Sequence, residues 1–309
     1  MTASSLVPSF TPVVAPIFAP IFAYAFGPFI EFPFMRRALV ATLAMALGCA
    51  PIGCVLVLRR MSLVGDAMAH AVLPGAAAGF LMAGLSLPAM SLGGFIAALA
   101  VALVAGWVTR ATPQREDASF AAFYLIALAL GVLLVSLRGS QVDLMHMLFG
   151  SVLAVDDVAL LQIALVASLT LWALALFYRP LVPEGFDPGF LRSVGGPGAR
   201  VHGLLLVLLV ANLVSAFQAL GTLMAVGLMM LPAAAARFWV TSLPAMAALA
   251  VAVGAASGAA GLLLSYHTEL PSGPCIVLVC GAAYIASVLF GVRDGVITRR
   301  WQAASHFSR

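Results

Sequence analysis

The sequence predicts an all-α fold, a polytopic bundle of transmembrane helices, and three observations carry that prediction. Hydrophobic residues make up 63% of the chain and charged ones only 8%, with a mean hydropathy of +1.13, more than a soluble core requires. Apolar runs of roughly 20 residues, the length that spans a hydrocarbon layer as helix, recur from end to end. These runs are apolar all round, without the alternation that the strands of an outer-membrane barrel would show.

The runs lie near 37–58, 64–84, 90–108, 119–137, 158–177, 201–219, 221–238, 243–265 and 274–291, so about nine helices are expected, within a range of eight to ten. The first ends at Arg59 and Arg60. The second carries Asp66, His70 and Pro74. Asp156 and Asp157 precede the fifth, where acidic side chains favour a helix N-terminus. Pro232 lies inside the seventh and frees the carbonyl of Leu228, which predicts a bend. Gly254 and Gly258 in the eighth read as a packing surface. Cys49, Cys54, Cys275 and Cys280 fall within spans, where a thiol packs as a small apolar group, and their spacing matches no zinc signature.

Residues 1–35 form a separate proline-rich extension. Residues 12–30 are apolar enough to span, yet Pro8, Pro12, Pro16 and Pro20 recur every four residues, and each interior proline costs a helix about 3 kcal/mol. An interfacial segment or an extra helix is expected. No basic region precedes it, which argues against a cleaved signal peptide.

Orientation follows from the arginines, since loops facing the cytoplasm hold an excess of positive charge and the chain has no lysine. With Arg59 and Arg60 inside and alternation from there, twelve arginines fall inside and only Arg36, Arg37 and Arg138 outside. Without lysine there is no G-x-x-x-x-G-K-[ST] loop to hold ATP phosphates, and neither H-E-x-x-H nor G-x-S-x-G occurs. The chain is therefore expected not to be an enzyme, and energy must come from a partner or an ion gradient.

The stretch MSLVGDAMAHAVLPGAAAGF, Met61 to Phe80, holds the sharpest signal. Asp66 and His70 are four apart and share a helix face, although Asp66 could instead cap the helix. A carboxylate in a span is costly, about 2.5–3.5 kcal/mol at the helix centre, and such groups usually face a pathway. Carboxylate with imidazole suits a divalent transition ion. Pro74 should loosen the helix at His70, and Gly75 and Gly79 allow close approach of a neighbour. Two ligands are too few for a tetrahedral ion, so a second copy across a dimer axis would supply the rest.

VLRRMSLVGDAMAHAVLPG (Val57 to Gly75) resembles the signature of the permease subunits of zinc and manganese uptake ABC transporters. VDLMHMLFGSVLAV (Val142 to Val155), GTLMAVGLMMLPAAAARF (Gly221 to Phe238) and LPSGPCIVLV (Leu270 to Val279) match the same family in the same order, over about residues 34–295. The resemblance implies a type II ABC importer-like permease, a multi-pass protein of the bacterial cytoplasmic membrane. It implies a homodimer with two cytoplasmic ATPase subunits, fed by an extracytoplasmic metal-binding protein, with lipid around it and no nucleic acid. Asp66 and His70 look like the intramembrane metal ligands. The cytoplasmic loop at 178–200, with Phe186, Asp187, Pro188 and Leu191, looks like the segment that docks on the ATPase. The permease domain would cover 36–292 and a basic cytoplasmic tail 293–309.

Asp143 with His146, and His267 with Glu269, combine carboxylate and imidazole on the outer side, where they could receive a metal or simply be exposed loop polarity. His202 and His306 receive no role. No cofactor is expected to be held permanently. The transported ion is expected to be zinc, because the motifs look closer to the zinc permeases, with manganese next. A permease for iron chelates and a gradient-driven secondary transporter are the alternatives.

Overall fold

All nine apolar stretches fold as helices. The computed structural model describes residues 24, 26–84, 86–136, 155–186, 191, 193–293 and 295–298. Its helices, in chain order, are α1 (Pro33–Leu58), α2 (Ser62–Ala83), α3 (Leu87–Ala111), α4 (Glu116–Ser136), α5 (Asp157–Leu176), α6 (Tyr178–Phe186), α7 (Gly198–Leu220), α8 (Thr222–Ala236), α9 (Leu243–Thr268) and α10 (Ser272–Phe290). Eight of these are long and apolar enough to cross a membrane. The exception among the nine expected spans is α8, whose 15 residues extend only about 22 Å at 1.5 Å per residue. It is separated from α7 by Gly221 alone, at φ +86°, a conformation that costs a residue without Cβ little.

One expected element differs. α1 begins at Pro33, because a proline is well suited to the first helical turn; residues 26–31 before it are helical too. Residues 1–23 and 25 of the proline-rich extension lie outside the described residues, as do 294 and the tail from 299. The segment 178–200 was expected to be a loop, yet it opens with the nine-residue helix α6. Pro180 falls in its first turn, where no hydrogen bond is lost, and Leu181 and Glu184, three apart, form its buried face.

Pro74 and Pro232 do not end their helices. Both α2 and α8 run through them, and the room a proline needs comes from small neighbours: Gly131 of α4 lies against Pro74 and Gly254 of α9 against Pro232. A helix closed against its neighbours by packing tolerates a missing N–H that would break an isolated one.

α1, α2, α7 and α8 hold most of the core, and α1 touches α5, α7, α8 and α9. α2 packs on α3 and α4. At the α2–α3 crossing, a Cβ on Gly75 would strike the Gly93 carbonyl and one on Gly79 the Ala89 carbonyl, so the expected small-residue face is used in full. The buried Asn212 of α7 donates to Thr170 Oγ1 of α5 at 2.7 Å and to Leu208 O at 2.8 Å, satisfying a polar group where water is excluded.

Several of the described arginines gather as the partition expects, while Arg138, Arg192, Arg299, Arg300 and Arg309 lie outside the described residues. Arg59, Arg110, Glu184 and His202 meet at one end of the bundle, and Arg293 N donates to Phe238 O beside Arg237. Arg37 pairs with Asp157 at 3.0 Å, and the neighbouring Asp156 caps α5 through Ala159 N at 2.8 Å, as expected. All four cysteines are buried and free.

Gly75→Val should destabilise the bundle by about 1–3 kcal/mol through overpacking. Gly281→Ala, where a Cβ meets nothing within 4 Å, should be neutral or slightly stabilising. Thermal unfolding of the purified chain in detergent checks both, and equal midpoints would refute the close crossing.

Candidate functional site

The α1–α2 turn sets where α2 begins. Met61 N donates to Leu56 O at 2.9 Å and Arg60 N to Val57 O at 3.2 Å, the pattern of a Schellman closure. Arg60 takes the left-handed position at φ +58°, where glycine is usual and a branched-off side chain costs roughly 1–2 kcal/mol. α2 then starts at Ser62 with Met61 as its N-cap residue. Asp66 is in the second turn, too deep to cap, which removes the alternative reading of that residue.

One turn further, His70 Nε2 stands 3.7 Å from Asp66 Oδ1. Both line a cleft of about 340 Å³ closed by Ala69 of α2, Thr222, Leu223, Val226 and Gly227 of α8, and Val277 of α10. The Asp66 side chain is 60% exposed and that of His70 30%. The His70 ring lies against Tyr124 of α4, centroids 6.1 Å apart. Its Nδ1 is buried with no hydrogen-bond partner among the described residues. The pair thus offers a carboxylate and one imidazole nitrogen to the cleft.

Three of the four stretches singled out in the sequence therefore meet here: Met61 to Phe80 supplies the donors, and Gly221 to Phe238 and Leu270 to Val279 supply the opposite wall. The fourth, with Asp143 and His146, lies outside the described residues except for Val155. His267 and Glu269 are not brought to the cleft. They end α9, where His267 stacks on Tyr24 with centroids 3.7 Å apart and Glu269 takes φ +56°. Among the described residues no group of three or more His, Cys, Asp or Glu could hold a metal.

Of the expected docking residues, Phe186 is exposed and lines a second cavity of about 560 Å³ with Arg237 and Arg293. Leu191 is buried against Gly196 and Gly198; Asp187 and Pro188 lie outside the described residues. Glu184 and His202, given no weight in the sequence, are both buried and share the partner Arg59. Those contacts join residues more than a hundred positions apart, so no local spacing could have signalled them.

Comparison with known proteins gives concordant results. The family model described as the ABC 3 transport family matches residues 31–291. The manganese transport system membrane protein MntC of Halalkalibacterium halodurans is 35% identical over 280 residues, covering 90% of this chain and 94% of that protein. The manganese import system permease protein ScaB of Streptococcus parasanguinis is 34% identical over 257 residues, covering 83% and 90%. The solved structure of PsaBC from Streptococcus pneumoniae in complex with Fab superposes with a TM-score of 0.77 at 30% identity, covering 92% of this chain and 99% of that one.

If the cleft is wetted, Asp66→Cys should react with a water-soluble maleimide while Ala71→Cys, at a fully buried position, should not. The four native thiols, all buried, make the unaltered chain the blank. Labelling followed by mass spectrometry checks this, and an inert Asp66→Cys would place that face against lipid.

Proposed function

The chain belongs to the ABC 3 transport family, a family of multi-pass transport proteins, and from that premise we propose that it is the permease of an ATP-driven importer of divalent transition metal ions, with Asp66 and His70 as the donors on the ion's path. The observation that carries this is a carboxylate and an imidazole on one face of a membrane-spanning helix, open to a cleft and one turn apart. Ionisable groups at such positions normally serve a pathway.

Manganese is the preferred cargo. The sequence motifs lean toward zinc, but two relatives covering most of the chain carry manganese in their names, and carboxylate with imidazole accommodates either ion. Apart from Asp66, His70 and Thr222 the cleft walls are apolar, which favours a bare ion over a chelate needing many polar contacts. Two donors leave a coordination sphere incomplete, and a second copy presenting the same face supplies the others. Weak coordination of this kind suits a site that must release its ion. The segment 178–200 docks on a cytoplasmic ATPase, which hydrolyses ATP on behalf of a chain without a P-loop, and an extracytoplasmic binding protein delivers the metal.

Uptake of radiolabelled manganese into proteoliposomes holding the chain, its ATPase and its binding protein tests the proposal. Uptake should require ATP. Asp66→Asn and His70→Ala should each reduce it by at least the roughly 10–100-fold that loss of a supporting residue costs a metal site, with assembly preserved. Zinc competing better than manganese would reassign the cargo, and normal transport by both variants would withdraw the metal assignment.

A further inference from the structure

At the arginine-rich end of the bundle, five titratable side chains from five elements converge. Arg59, in the α1–α2 turn, donates Nη1 to His202 Nδ1 of α7 at 2.8 Å and Nη2 to Glu116 Oε1 of α4 at 3.2 Å. The same Nη2 lies 3.9 Å from Glu184 Oε1 of α6. Arg110, in the last turn of α3, donates to Glu184 Oε1 at 2.9 Å and to Gly198 O at 3.3 Å. The Arg59 and Glu184 side chains are only 4% and 2% exposed.

Charges buried to this degree are costly unless paired, and an apolar contact would hold two helices together at least as well. The cluster is therefore a poor choice for stability alone. What it supplies is direction: α6 reaches the bundle through Leu181 and Glu184, and Glu184 is the one that grips specific partners. Arg59 stands three residues before Ser62, in a turn closed by the Met61 to Leu56 and Arg60 to Val57 hydrogen bonds, so the backbone that carries its guanidinium leads directly into the first turn of α2. Asp66 and His70 follow at about 6 and 12 Å along that helix.

Two members of the cluster each keep an unused hydrogen-bonding atom. A guanidinium only donates, so His202 Nδ1 accepts and its Nε2 carries the hydrogen. That Nε2 and Glu184 Oε2 are both buried with no partner among the described residues, a donor and an acceptor open to another pairing.

We infer that Glu184 is a positioning residue for transport, linking the segment 178–200 through Arg59 to the start of the metal-bearing helix, so that movement imposed on α6 changes the setting of Asp66 and His70. This rests on the proposed function, since it takes 178–200 as the ATPase contact.

The test uses the complete transporter in proteoliposomes, measuring co-purification of the ATPase, ATP hydrolysis, metal uptake and thermal midpoint. Glu184→Gln should still assemble and hydrolyse ATP while metal taken up per ATP falls at least about fivefold, the lower end of coupling between sites. Arg110→Met with Glu184→Met removes a buried pair together, which is tolerated far better than removing one partner. That double variant should recover the thermal midpoint but keep the low ratio, and it decides the matter if Glu184→Gln fails to assemble. An unaltered ratio in Glu184→Gln, or a ratio restored with stability in the double variant, overturns the inference and leaves the transport reading standing. No ATP-dependent uptake by the unaltered transporter overturns that reading, and this inference with it.

Discussion

A charged group inside a hydrocarbon layer must be paired, hydrated or neutralised, because an unpaired one costs several kcal/mol, and much of the arrangement of this protein follows from that requirement. The chain has only eleven acidic residues, and several of the described ones meet the requirement in different ways. Glu184 and Glu116 sit against Arg59 and Arg110. Asp156 closes the N-terminus of α5, and Asp157 faces Arg37 in the open, where a pair is worth little. Asp66 stands apart: its neighbour is His70, and its other side opens to a cleft.

The cleft exists because of how closely the helices around it approach. Gly75 and Gly79 draw α3 onto one side of α2, and Gly131 lets α4 lie against Pro74, so the donor face of α2 is turned toward α8 and α10. Short α8 is surrounded by α1, α2, α7, α9 and α10, and Gly227 keeps its cleft-facing wall low. Small residues thus do two jobs: they replace the hydrophobic driving force that helices lack in lipid with close van der Waals contact, and they leave the space of the cleft open.

In the proposed coupling, the ionic cluster and the cleft lie at two points on the same lever. α2 carries the donors, and the tight turn that starts it carries Arg59. A transporter needs its energy-using and ion-binding parts to be bistable together rather than merely attached, and a buried charge cluster with unpaired atoms on two members is better suited to that than an apolar seam.

Much of this was legible in the sequence. Length and apolarity located nine helical stretches, eight of them long enough to span, the described arginines separated two ends, and the spacing of Asp66 and His70 put both on one face. These are properties of a single turn or a single span, which lipid and helix geometry impose without reference to the rest of the chain. The helix α6, the burial of Glu184 and His202, and the convergence of three distant stretches on one cleft were decided by the tertiary structure. Those features depend on which helices lie side by side and at what distance, and that is set by close packing between residues far apart in the chain, where no local periodicity reaches.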